Sequence, residues 1–111
     1  MRNEEVIKAF IEGDEKAHTK NVFIKDNFLF SYGFHFPLAI RLIGTDGFKF
    51  VINKSKYSVS TSRHQGYLNR MINTDLKGNT EQLKRLMEKN IKTTDDFILN
   101  VLEENNEPRK D

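Results

Sequence analysis

The 111-residue sequence has no cysteine and no tryptophan, only two prolines, and no apolar run approaching the ~20 residues that cross a bilayer. Without cysteine there are no disulfides, no thiolate zinc sites and no thiol chemistry, which suits a reducing, cytoplasmic setting. The opening residues lack the charged, apolar and small-residue order of a secretory leader. No P-loop and no G-x-G-x-x-G occurs, and His18, His35 and His64 show no metal-ligand spacing, so neither a metal nor a cofactor is expected. Hydrophobic residues make up 37%, a low share for a folded chain. Nine phenylalanines and three tyrosines offset the deficit, because each ring buries about 150–250 Å². The length fits one domain.

A near-neutral total hides a strong asymmetry. Residues 1–15 hold two bases and five acids, a net of −3. Residues 16–70 hold nine bases and two acids, a net of +7, and residues 71–111 hold seven bases and nine acids, a net of −2. A basic middle between acidic ends is the electrostatic signature of the chain.

The pattern predicts an α+β fold: an antiparallel meander of about five strands, an N-terminal helix and two to three C-terminal helices. Val6, Ile7, Phe10 and Ile11 fall on one helical face, with Asn3 as cap and Gly13 as stop. Val22–Lys25 and Phe28–Tyr32 flank Asp26-Asn27, whose side chains tolerate the positive φ of a tight turn. Pro37 opens a third strand through Ile43, and Gly44-Thr45-Asp46-Gly47 turns into a fourth, Phe48–Ile52. Tyr57–Ser60 reads as a fifth. Ser62 and Gln65 then match a capping box before Tyr67, Leu68, Met71 and Ile72 at helical spacing. Thr80 and Thr94 are the expected caps of two more helices, over 81–91 and through Leu102. The domain is expected to span 1–103, with a flexible polar tail over 104–111.

The densest polar cluster is Tyr57 to Gln65. Ser60, Ser62, Arg63 and His64 would surround a helix start whose free amides and positive dipole end favour an anion. Arg41, Lys49, Lys54 and Lys56, on neighbouring strands and turns, would extend this into one basic sheet surface if that face is open. Phe28, Phe30, Tyr32, Phe34 and Phe36 alternate along the chain, and most are needed for the core. Tyr32 and Phe34, at the Gly33 break, are the candidates for an exposed stacking role. Ser31, His35 and His64 form on paper a nucleophile and base set, and Tyr32, His35 and Arg63 or His64 a metal-free phosphodiesterase set.

Phe10-Ile11-Glu12-Gly13, Phe30-Ser31-Tyr32-Gly33, Pro37-Leu38-Ala39 and the run Tyr57 to Gln65 resemble a family of small uncharacterised proteins encoded by phages and other mobile elements. That family shows F-(L/I)-x-G, (F/Y)-S-Y and Y-S-x-T-T-S-(K/R) segments, and the likeness spans about residues 6–72. Ser60 stands where the family pattern more often has Thr. The resemblance implies an origin in a mobile element and no particular chemistry. It adds host proteins to the expected partners, since small proteins of mobile elements often act by contact with them.

The expected function is therefore non-catalytic nucleic-acid binding through the basic sheet surface and the hydroxyl-rich helix start. The alternatives are a host-protein inhibitor or adaptor and a small metal-independent nuclease or phosphodiesterase. Two sheet edges, one rich in phenylalanine, also give the chain a means of pairing with its own copy as a homodimer.

Overall fold

A computed structural model describes residues 2–33, 36–56, 59–74 and 76–106, without the side chains of residues 59–61, 105 and 106. Helix α1 spans Asn3–Ile11 and is followed by strands β1 (Val22–Lys25), β2 (Phe28–Ser31), β3 (Pro37–Gly44) and β4 (Gly47–Asn53). Helix α2 (Val59–Met71), the short strand β5 (Lys77–Gly78) and helices α3 (Thr80–Glu88) and α4 (Thr94–Asn106) complete the chain. The fold is α+β, with a five-stranded, mostly antiparallel sheet in the order β1-β2-β3-β4-β5. Among the described residues no helix is long and apolar enough to cross a membrane.

Local chemistry sets the first four strands. Asp26 takes φ 56° between β1 and β2, and Gly47 takes φ 125° between β3 and β4, where Gly44 pairs with Gly47. Asn27 does more than turn the chain: its Nδ2 donates to Arg41 O at 3.1 Å and Ile91 O at 2.9 Å, tying the hairpin to β3 and to the segment after α3.

The fifth strand is not the expected one. Tyr57 and Ser58 lie outside the described residues, and Val59 and Ser60 are already helical. Their place at the sheet edge is taken by Lys77–Gly78, which runs parallel to β4 with Ile52 opposite Lys77. Helix wins from Val59 because His64, Leu68 and Ile72, four residues apart, bury on one face. Ser62 consequently sits inside α2 and caps nothing. Gln65, its supposed capping partner, instead donates from Nε2 to Asn53 O and Ser55 O, both at 2.8 Å.

Helix starts shift by one residue elsewhere too. Arg2 rather than Asn3 precedes α1, its backbone N–H donating to Glu5 Oε1 at 3.0 Å. Asn79 Oδ1 accepts from Gln82 N ahead of α3, and Thr93 Oγ1 accepts from Asp96 N ahead of α4. Helix α3 stops at Glu88, short of Ile91, because Asn90 takes φ 54°. Asn90 N then donates to Met87 O and Ile91 N to Leu86 O, a Schellman closure that turns Ile91 back into the core. Gly13 closes α1 in the same way, with Asp14 N donating to Ala9 O. Helix α4 runs to Asn106, three residues into the stretch read as a tail.

Alternation along the strands divides the core in two. Val22, Ile24, Leu29, Phe50 and Ile52 pack against Val6, Ile7 and Phe10 of α1, Leu68 of α2 and Ile72 just after it. Phe28, Phe30, Ile40, Leu42 and Val51 point the other way, onto Leu83 and Leu86 of α3, with Ile91 and half-buried Phe97. Helices thus cover both faces, and the open basic sheet face expected from the sequence is absent over the described core. Phe28, Phe30 and Phe36 are buried, as the need for ring area demands.

Candidate functional site

The five cations expected to converge do not. Arg41 is 5% exposed: it lies on the α1 side of the sheet, and its Nη1 donates to Phe10 O at 2.6 Å and Asp14 O at 3.0 Å. Its guanidinium is centred 5.0 Å from the Phe10 ring and 5.2 Å from the Phe48 ring. Burial pushes Arg41 below the usual arginine value, while the nearby carboxylates of Glu15 and Asp14 favour its charge. The side chain closes the C-terminal end of α1, where a cation complements the helix dipole. It therefore belongs to the packing and not to a basic surface. Lys49 is exposed and pairs with Leu42, so it points to the opposite face. Lys54 and Lys56 are exposed on the link between β4 and α2.

Three expected residues do meet: Tyr32, Arg63 and His64 line one cleft of about 530 Å³ with Arg2, Asn3, Glu4, Asn21 and Tyr67. Tyr32 leaves β2 with φ 57°, and its N–H donates to Asn21 O at 2.8 Å. That kink turns the phenol out to 45% exposure while its ring stacks on His64, centroids 5.8 Å apart. Arg63 and Arg2 are exposed at the mouth, and Arg70 lies 5.0 Å over the Tyr67 ring. Two guanidinium groups against the single carboxylate of Glu4 make the lining cationic.

Beneath the cleft lies a polar chain drawn from four parts of the sequence. Thr19 Oγ1 accepts from the backbone N–H groups of Asn21 and Val22, and of the two acceptors within its reach, Asn3 Oδ1 at 2.5 Å is far nearer than Val22 O at 3.3 Å and takes its proton. Asn3 therefore presents its amide nitrogen to His64 Nε2, 3.3 Å away, which must carry a lone pair. The ring proton is then on Nδ1, donated to Ser31 Oγ at 2.9 Å. This assignment follows from the hydrogen-bond network and makes His64 neutral. It agrees with burial, and secondarily the charge of Arg63, holding the imidazole below its ordinary value.

That direction runs opposite to nucleophilic catalysis, in which the histidine nitrogen facing the serine must accept its proton. Ser31 is also 1% exposed, out of reach of a substrate. Ser31 and His64 form a strut under Tyr32. His35 and Phe34, named in the other catalytic and stacking sets, lie outside the described residues, as does the side chain of Ser60.

The helix expected to start near Ser62 starts at Val59. Only the first four amides of a helix are free of intrahelical partners, so those of Arg63, His64 and Gln65 are spent in the ladder. Free amides are confined to residues 59–62, so at Arg63 and His64 any anion chemistry belongs to the side chains. Sequence reasoning missed Arg2, Asn3, Asn21 and Tyr67. Asn3 and His64 are 61 positions apart, and nothing local signals that they touch. Among the described residues no three His, Asp or Glu side chains gather to hold a metal.

No family model, curated protein or solved structure matches the chain.

Proposed function

We propose that the protein is a non-catalytic binder of single-stranded nucleic acid, seating one nucleotide in the cleft between α1 and α2. The observation that carries this reading is the half-exposed Tyr32 ring, backed by His64 and flanked by the exposed guanidinium groups of Arg63 and Arg2. A base stacks on an aromatic ring whatever its identity, contributing about 1–3 kcal/mol. Planar guanidinium groups meet phosphate oxygens through paired N–H donors. The polar strut from half-buried Thr19 to buried Ser31 fixes the ring that backs Tyr32, so little order has to be gained on binding. A volume of about 530 Å³ lies within the range of small-ligand pockets.

The reading makes a quantitative distinction. Two phosphate contacts, from Arg2 and Arg63, give a salt slope of about −1.4 for a single strand, whereas five contacts from a broad basic surface would give about −3.5. The test is fluorescence anisotropy of labelled single-stranded DNA between about 25 and 200 mM salt. Tyr32→Ala is expected to weaken binding between about 5-fold and 150-fold, the equivalent of one lost stacking contact. Arg63→Ala is expected to weaken all sequences alike and flatten the slope by about 0.7. Absence of binding at the lowest salt, or wild-type affinity in both variants, removes the proposal.

A further inference from the structure

We infer that the outer face of α4 is a docking surface for a basic amphipathic helix of a partner protein. Ile98, Leu99 and Leu102 are 54%, 57% and 51% exposed, while Phe97 and Asn100 face inward toward α3 and the sheet. At 100° per residue the three aliphatic side chains form one continuous stripe on the solvent side. Isolated exposed apolar residues are ordinary, but a contiguous stripe on a helix already anchored by its other face marks a contact site.

Charge fixes the kind of partner. Helix α4 carries Asp95, Asp96, Glu103 and Glu104 and no basic residue. Asp95 and Asp96 complement the positive end of the helix dipole, so they have a local reason to be there. Glu103 and Glu104 sit at the opposite end, where the dipole disfavours them. Glu104 is answered by Arg85 at 3.8 Å, but Glu103 has no ion-pair partner among the described residues. Glu103 thus breaks the end rule with no compensation among the described residues, the kind of local conflict found at functional sites. Asp96 and Glu103, seven residues apart, border the same side of the stripe. A second copy of α4 would bring like charge against like, and a nucleic acid or an anionic lipid surface would be repelled. Lysine and arginine bordering a leucine seam satisfy both features, laid along α4 as one helix packs on another. This surface lies across the sheet from the Tyr32 cleft and is independent of it.

The test titrates the isotope-labelled full chain with a synthetic amphipathic leucine–lysine helix, alongside a leucine–glutamate helix of the same pattern. Amide shifts are expected along α4 with the lysine peptide alone. The double variant Leu99→Ser, Leu102→Ser, changed only at exposed positions, is expected to keep its urea midpoint and lose at least tenfold in affinity. Asp96→Asn with Glu103→Gln is expected to weaken binding and reduce its salt dependence. Equal binding of the glutamate peptide, shifts centred elsewhere, or unchanged affinity in both double variants would overturn the inference. So would a dimer in sedimentation equilibrium that Leu99→Ser, Leu102→Ser dissolves, since the occupant would then be a second copy.

Discussion

Replacing Arg41 by Met separates packing from ligand binding at a residue the sequence marks for the second and the fold uses for the first. Methionine keeps much of the side-chain volume between Phe10 and Phe48 and removes the charge. The loss comprises charge-assisted hydrogen bonds to Phe10 O and Asp14 O, worth about 1.5–3 kcal/mol each, and cation–π attraction of about 0.5–1 kcal/mol per ring. Phe10 O still accepts from Gly13 N, so it is not orphaned. Release of the guanidinium from its buried position offsets part of the loss. The net expectation is a destabilisation of about 2–4 kcal/mol, with the relief of one desolvated cation cancelling roughly half of the loss. For a chain of this size, a fall of roughly 8–16 °C in Tm follows at about 4 °C per kcal/mol. Urea unfolding with an unchanged slope is the direct measurement. Wild-type stability combined with weakened DNA affinity would refute the packing account and return Arg41 to the surface role. Intact DNA affinity in the folded variant is expected otherwise.

Three further outcomes test other parts of the structure. His64 is held below its ordinary value by burial and then by Arg63, so the unfolded chain binds a proton that the folded chain refuses. Stability is therefore full above about pH 6.5 and declines as the pH falls through and below that value, and His64→Gln should flatten this part of the curve, measured by urea midpoints from about pH 7.5 to 5.5. Gly13→Ala meets φ 105° and a Phe48 ring 3.1 Å from the new Cβ, so a loss of about 1–3 kcal/mol is expected. A midpoint within error of wild type would contradict the Schellman closure of α1. Gly66→Ala has nothing within 4 Å of the added methyl in mid-α2, so it is expected to stabilise by roughly 0.4–1 kcal/mol. Destabilisation there would mean that α2 is not continuous through residue 66.

Much of the fold was legible in the chain because its signals are local. Short apolar runs bounded by turn residues set β1 to β4, Asp26 and Gly47 supplied the positive φ their turns require, and Gly13 ended α1 where the helical face ran out. Cap positions were legible only to within a residue. Asn79-Thr80 and Thr93-Thr94 each offer two competent side chains, and Asn3 is drawn away from its helix by Thr19 and His64. Tyr32 was legible as an exposed ring because Gly33 breaks the strand beside it.

Sequence by itself determined the α+β class, the first hairpins and the apolar faces, since these depend on residues within a few positions of one another. Tertiary structure alone decided which two residues complete the sheet, that helices cover both of its faces, and that Arg41 is spent inside. Alternation assigns Arg41 and Lys49 to opposite sides of a strand pair but cannot say what lies on either side. The cleft is likewise a product of packing: Arg2 and Asn3 of the first turn meet Tyr32, Arg63 and His64 only because α1 and α2 lie together on one face of the sheet.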